Sequence, residues 1–337
     1  MAGEDSNHNT VNPTLSFLDL PDLVLECVLR KLPPSGLLTL SCVCKSLRRS
    51  CTSDHIWANH LEQKWGKLIS PAAEKEWRTY HSLKDNWRKF EDEPNSGKQK
   101  GLMTILMRAF SALWPCSLGR RGNSTVPEQS CLLANDSTMY WYFALQNGRF
   151  WFPAQVYNRE NGHASFMLSC YDAEVCYDSR TDTFQARYPT HGRRSMPLEV
   201  GVTWERVRSP PTEITNLPHD LHASDCLTDL RPGDSIEIQW RRNKEFPYGW
   251  WYGVIGHLGS CDHQGSQNLC RCHECDDVAL EFNQYSPDSR WRWVRISRRN
   301  HREEGNEDDG FYGGIRKLKE EEEISGWKRF WPAELLE

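Results

Sequence analysis

The apolar residues of this chain change their period once, and that change limits the fold more than any other feature. From Ser16 to about Phe90 they recur every three or four positions. From Met139 they fall into short aromatic and β-branched runs broken by Asn-Gly, Gly-His and Asp-Ser turns. A chain written this way folds as α+β, with helices first and a β-rich region after them. Its 337 residues exceed what one hydrophobic core usually takes, so two or three units are expected rather than one.

Between residues 14 and 66 the spacing predicts three helices. The first has Pro21 at its start, where a missing N–H costs nothing, and carries Leu25, Val28, Leu29 and Leu32 before Pro33-Pro34 end it. The second is expected to run from a cap at Ser35 through Leu37, Leu38, Leu40, Val43, Cys44 and Leu47, with Lys45, Arg48 and Arg49 placed where the helix dipole favours cations. The third starts at Ser53 or Asp54 and carries Ile56, Trp57, Leu61 and Trp65. Three short helices make too small a core to stand alone, so part of their apolar surface is expected to be covered by a partner or by the following domain. Residues 67–118 read as a helical linker region. It holds a stretch from 70 to 90 with Trp77, Tyr80, Leu83, Trp87 and Phe90, an aperiodic linker at 91–100, and an amphipathic segment at 101–118. Arg108 and Pro115 interrupt that last segment, which is shorter than the roughly 20 residues a membrane span needs.

Two strand-rich blocks follow, at 139–208 and 230–300. Strands are expected at 140–145, 149–157, 164–170, 174–177 and 184–188, then at 234–240, 250–257, 277–282 and 291–296. The segment from Gly148 to Val156 is in step with that from Tyr248 to Gly256, so the β region reads either as one body or as two repeated barrels. A proline-containing connector at 209–229 separates the blocks, and the glutamates from Glu320 to Glu323 read as a solvated helix face.

Composition narrows the function. A net charge of −5 provides no general basic field, which argues against bulk nucleic-acid binding. Met1 to Leu15 is polar, without the basic start and apolar stretch of a secretory signal, so a cytosolic or nuclear protein is expected. In that reducing setting the 13 cysteines should be thiols or metal ligands rather than disulfides.

Taken in order, Leu20-Pro21, Leu25, Val28-Leu29, Leu32, Leu37, Leu40, Val43-Cys44, the basic run from Lys45 to Arg49, Asp54 and Trp57 resemble an F-box over about 45 residues. The resemblance implies that these helices pack on a Skp-type adaptor, which bridges to a cullin of a ubiquitin ligase. It also implies that Leu20, Pro21, Leu25, Val28, Leu29, Leu37, Leu38, Val43 and Cys44 are divided between the adaptor interface and the module's own core. An aliphatic set with few charges suits a desolvated helical interface. With its Trp-rich second half and its Tyr285-Ser286-Pro287-Asp288-Ser289-Arg290-Trp291 turn, the chain looks most like a plant F-box family.

The loop from Cys261 to Cys275 gathers four thiols and two imidazoles, the donors that tetrahedral zinc prefers. Cys261, Cys270 and Cys272 could make a structural zinc site with His273 or Cys275 as the fourth ligand. The strands around this loop are similar to Tudor and Agenet modules, small barrels in which an aromatic cage can hold a methylated ammonium at ~0.5–2 kcal/mol per contact. Here the cage candidates are Tyr248, Trp250, Trp251, Tyr252 and Tyr285; strand aromatics of this kind more often fill a barrel core. Arg290 to Arg302 interleaves Arg with Trp, which suits either an acidic ligand or ordinary alternating strand charges. No Gly-rich phosphate loop or nucleophile elbow is written in the chain.

The expectation is therefore a non-enzymatic receptor. Its helices would dock a Skp-type adaptor and through it a cullin, and its C-terminal β region would bind an unknown protein substrate. The competing expectation is a non-ligase reader of a methylated or acidic ligand, held in an aromatic-lined Tudor-like barrel.

Overall fold

A computed structural model describes residues 17–80, 137–161, 166–190, 196–211, 221–259, 261, 270–304 and 312–331. The expected segments at 91–100 and 101–118 lie outside these residues. The chain divides into two units, one of Met1–Gly66 with Ser130–Phe143, the other of Lys67–Gln129 with Ala144–Glu337.

In the first unit the expected helices form, but the long second one is two. Helix α1 (Asp22–Lys31) starts behind Pro21, whose carbonyl accepts from the N–H groups of Val24 and Leu25. Helix α2 (Pro34–Ser41) uses Pro34 as its first residue, since proline's fixed φ suits that position, and Ser35 falls inside the helix rather than capping it. The predicted continuation to Arg49 fails at residues 42–44. The hydroxyls of Thr39 and Ser41 bond back to the carbonyls of Ser35 and Leu38, a competition that loosens a helix end. Cys44 then turns extended, and its sulfur accepts from the Leu47 N–H to cap helix α3 (Lys45–Cys51). The Arg48 side chain bonds the carbonyl of Ser41, satisfying an acceptor that the end of α2 leaves open. Helix α4 (Asp54–Trp65) buries Ile56, Trp57 and Trp65, and Trp57 Nε1 donates to the Cys51 carbonyl at 2.8 Å. Within the same unit the Trp57 ring lies about on Tyr142 and Phe143, with centroids 5.4 and 5.1 Å away.

The expected strand at 140–145 is a helix, α5 (Thr138–Gln146). Its aromatic residues favour strands, but its ends are written for a helix. Ser137 accepts from the Tyr140 N–H at the start. At the other end Gly148 takes φ +60, its N–H bonding Leu145 O while the Arg149 N–H reaches Ala144 O. That pair of bonds around a left-handed glycine is a Schellman C-cap, so the Asn147-Gly148 pair that reads as a hairpin turn is a helix stop.

Beyond it, ten antiparallel strands among the described residues form one sheet: β1 (Phe152–Asn161), β2 (Phe166–Asp178), β3 (Thr183–Arg187), β4 (Leu198–Val202), β5 (Val207–Arg208), β6 (Ser235–Trp240), β7 (Gly249–Gly256), β8 (Asp277–Glu281), β9 (Trp293–Ser297) and β10 (Tyr312–Lys317). The two runs expected at 164–170 and 174–177 are the single long strand β2. The two blocks are not separate barrels, because Ser169, Cys170 and Tyr171 of β2 pair directly with Trp251, Trp250 and Gly249 of β7. Around that junction the sheet forks. Strand β2 pairs β7 near its start and β3 near its end, while β7 pairs β2 at its start and β8 at its end. Gly249 has no side chain where the Tyr171 ring lies across it, and Gly256 likewise makes room for Trp293.

Alternation along β6 and β7 builds a core on each face. Ile236, Ile238, Trp251 and Ile255 join Leu230, Val278, Leu280, Phe282, Tyr312 and Ile315 on one side. Trp250 and Tyr252 join Tyr157, Leu168, Cys170 and Trp327 on the other. Trp327 comes from helix α6 (Glu321–Lys328), which the run of glutamates opens as expected, with acidic charge at the helix N-terminus.

Candidate functional site

The helical unit sorts the residues expected to contact an adaptor. Leu25, Leu29 and Leu37 are buried, whereas Pro21, Val28, Leu38 and Val43 are exposed, and Leu20 and Cys44 are half-buried. Sequence reading missed two exposed apolar side chains on α1, Leu23 and Val24, which are 77% and 45% exposed; Val43, in the α2–α3 turn, is 67% exposed. The signal was present in the helical period. With Leu25 and Leu29 facing inward, positions 23, 24, 27 and 28 necessarily face outward, and three of the four are aliphatic. Leaving Leu23 and Val43 in water forgoes much of the ~1.5–3 kcal/mol that full burial of each such side chain gives, and Val24, Val28 and Leu38 forgo a smaller part of it.

The aromatic cage candidates sit differently. Tyr248, Trp250, Trp251 and Tyr252 are all buried, and Tyr285 packs against the core that holds Trp251. Trp250 and Tyr252 face one core and Trp251 the other, so neighbouring aromatics in this strand point to opposite sides of the sheet. The Arg-Trp stretch resolves into strand pairing. Arg292 bridges Glu281, Arg295 lies 3.8 Å from Asp277, Arg299 reaches Asp276, and Arg298 donates to the carbonyls of Leu227 and Leu230.

Four elements converge on a charge that sequence reading did not single out. Glu237 of β6 is 0% exposed and lies on the Trp327 face of the sheet. One carboxylate oxygen accepts from Arg208 Nη1 and Trp327 Nε1, both at 2.5 Å, and the other from Arg316 Nη2 at 2.9 Å. Burial alone would push this carboxyl up. The neighbouring Arg208 and Arg316, with the hydrogen bonds they and Trp327 donate, overcome that and hold it at about 2. Arg208 also bonds Gln155 Oε1 and Tyr157 Oη, so β1, β5, β6, β10 and α6 share one ionic joint.

The Cys/His loop brings together three of its expected ligands and one that was not expected. Cys261, Cys270 and Cys272 converge with His257, their donor atoms all within 4.8 Å of one another, an arrangement that could hold a metal ion. His273 and Cys275 stand apart from this group. His273 Nδ1 is 3.1 Å from the Cys270 carbonyl, and the Cys275 sulfur is directed to the Arg271 carbonyl. His257 directly follows β7, and Cys272 opens a single helical turn just before β8, so the ends of two paired strands set the ligand positions. The overlooked signal is His257-x3-Cys261 followed by Cys270-x-Cys272, two donor pairs bracketing the loop rather than one cluster within it. The Cys270 thiol is drawn below its usual range chiefly by the Cys272 N–H, and Cys261, hydrogen-bonding toward the Cys270 and Cys272 sulfurs, is pushed up to about 12. Among the described residues no helix is long and apolar enough to cross a membrane.

Comparison with known proteins bears on the helical unit directly. The F-box domain family matches residues 17–59, which covers α1 to α3 and the first half of α4. Over nearly its whole length the chain is similar to two curated proteins of Arabidopsis thaliana. It is 54% identical to "F-box protein At2g26850" over 326 residues, covering 96% of this chain and 84% of that protein. It is 51% identical to "F-box protein At2g41170" over 325 residues, covering 96% of this chain and 85% of that protein.

Proposed function

The chain belongs to the F-box protein family, and from that premise we propose that it is the substrate-recognition subunit of an SCF-type cullin ubiquitin ligase. The helical unit binds a Skp-type adaptor, the adaptor carries the cullin, and the sheet-rich unit binds the protein to be modified. The observation that carries this reading is the set of exposed aliphatic side chains on the helices, Leu23, Val24, Val28, Leu38 and Val43, beside a buried set, Leu25, Leu29 and Leu37, that keeps the helices folded. Exposed aliphatics on a small helical unit mark a surface meant to be covered.

The chain contributes to ubiquitin transfer through effective concentration. Holding the substrate beside the charged conjugating enzyme makes lysine attack nearly intramolecular, and this requires no catalytic residue in the receptor. In this reading a metal in the Cys/His loop is structural, zinc being the ion that thiolates and imidazole suit. The protein works in the cytosol or nucleus, where its thiols stay reduced.

Co-expression of the full chain with a Skp homologue and a cullin tests the proposal. Replacing Leu38 and Val43 together by Glu should cut adaptor recovery at least about tenfold, since it places charge in a desolvated interface, and cullin recovery should fall in parallel. Val43 is 67% exposed and Leu38 lies on an exposed edge at 37%, so the free variant should keep its helical circular dichroism and a cooperative unfolding curve. Undiminished adaptor binding by this variant, or no adaptor binding by the parent, would refute the proposal.

A further inference from the structure

We infer that His257, Cys261, Cys270 and Cys272 bind one zinc ion that ties the end of β7 to the start of β8. The inference goes beyond the receptor reading and does not depend on it.

Geometry supplies the first argument. With Zn–S near 2.3 Å and Zn–N near 2.0–2.1 Å, a tetrahedral site of three sulfurs and one nitrogen has edges of about 3.8 Å between sulfurs and about 3.5–3.6 Å from sulfur to nitrogen. His257 Nδ1 lies 3.6, 3.3 and 4.0 Å from the sulfurs of Cys261, Cys270 and Cys272. Cys261 and Cys270 sulfurs are 3.4 Å apart, and all four donor atoms fall within 4.8 Å. The three sulfur–nitrogen spacings and the Cys261–Cys270 spacing match the corresponding edges of a ZnS3N tetrahedron to within about half an ångström. Ordinary packing gives no reason for this convergence. Thiols are weak mutual hydrogen-bonding groups, and two strand ends have no need to bring three of them onto one imidazole nitrogen.

Electrostatics supplies the second. Three thiolates and a neutral imidazole around a divalent cation leave one net negative charge, which outer hydrogen bonds must spread. Two backbone donors are in place for that purpose. The Leu258 N–H points at the Cys272 sulfur and the Cys272 N–H at the Cys270 sulfur, each at 3.4 Å. The site also has an apolar floor of Leu258, Cys272 and Ala279, against which Cys261 and Cys270 pack. Four protein ligands on an apolar floor describe a closed, structural coordination sphere rather than one with a position left for substrate.

The ligand order explains what the metal does. His257 directly follows β7, Cys261 bonds back to the Leu258 carbonyl, and Cys270 and Cys272 lead into β8, which pairs with β7 through Val254↔Glu281, Ile255↔Leu280 and Gly256↔Ala279. A metal across these pairs closes the connection just beyond the last paired residues, so its binding energy adds to the pairing of the two strands.

The full chain, purified under reducing conditions with its adaptor or alone, should carry close to one zinc per chain by elemental analysis. Cobalt substitution of the parent protein should give the intense d–d bands of a tetrahedral site together with thiolate-to-cobalt charge-transfer bands, a readout that needs no variant to fold. Cys270→Ser and His257→Ala should each lose most of the zinc, whereas Cys275→Ser and His273→Ala should retain it. Absence of zinc and of the cobalt spectrum from the parent protein would overturn the assignment. So would loss of metal in Cys275→Ser equal to that in Cys270→Ser, or a Cys261–Cys270 disulfide found by mass spectrometry in protein kept under reductant.

Discussion

Replacing Glu237 with Gln is expected to be among the most damaging single changes available in the sheet-rich unit. The substitution keeps the shape and removes one negative charge from a residue that is 0% exposed. Arg208 and Arg316, only 15% and 13% exposed, then lose their shared anion, and a glutamine NH2 group must face a guanidinium that can only donate. Arg316 keeps Glu323 at 2.6 Å, so the unpaired charge falls mainly on Arg208. Breaking a buried ion pair from one side costs roughly 3–5 kcal/mol. The carboxyl's displacement from 4.5 to about 2 gives a similar figure, about 3 kcal/mol at 1.36 kcal/mol per pH unit. For a unit of this size that corresponds to a melting temperature lower by about 6–20 °C at neutral pH.

The pH dependence carries its own sign. Because the folded carboxyl titrates below its unfolded value, its contribution is complete above about pH 4.5 and disappears as the pH falls toward about 2. The gap between parent and Glu237→Gln should therefore be constant near neutrality and close through that acid window. Adding Arg208→Gln to Glu237→Gln should restore part of the loss, since the orphaned cation goes with it. Urea unfolding followed by tryptophan fluorescence at a series of pH values measures all three effects. A variant within about 0.5 kcal/mol of the parent at neutral pH, or a gap unchanged down to the acid limit, would show that the ionic joint does not carry the load assigned to it.

Two further substitutions probe the local geometry. Trp57→Phe removes the indole N–H that donates to the buried Cys51 carbonyl, so the helical unit should lose ~1–3 kcal/mol in denaturant unfolding while keeping its helical circular dichroism. Gly148→Ala forces a side chain into left-handed backbone at φ +60 and drives its Cβ against the Tyr177 carbonyl; it should cost at least ~1–2 kcal/mol, and an unfolding midpoint equal to the parent's would contradict the cap.

Much of the fold was legible because period and end signals agreed. Pro21, Pro33-Pro34 and the apolar spacing located α1 and α4, and the alternation of β6, β7 and β8 placed those strands within a residue or two. Legibility failed where local and distant demands diverge. At 138–146 the aromatic residues suggest a strand, and only Ser137 and Gly148, read as a pair of helix ends, suggest otherwise. Strand β10 escaped notice because Gly313-Gly314 lowers its strand propensity; Gly314 is required by the His222 backbone pressed against it, a neighbour some ninety residues away in sequence. The same holds for the sites. Three of the four clustered Cys/His donors stood out as a thiol-rich loop, but His257 belongs to the end of a strand and joins them only when β7 and β8 pair. Glu237 looks like an ordinary outward residue of an alternating strand until both faces of β6 prove to be covered.

The pairing of Ser169 with Trp251 sets an order on synthesis. A nascent chain that has emerged only through the first strand block carries Ser169, Cys170 and Tyr171 as an open edge, and it must extend from residue 208 to residues 249–251 before that edge can be closed. Contacts so distant along the chain slow folding and leave an unpaired strand able to meet its copies on neighbouring ribosomes. A chain cut in the connector at 209–229 would keep that open edge permanently, so the two strand blocks should be produced, and should persist, only as one piece.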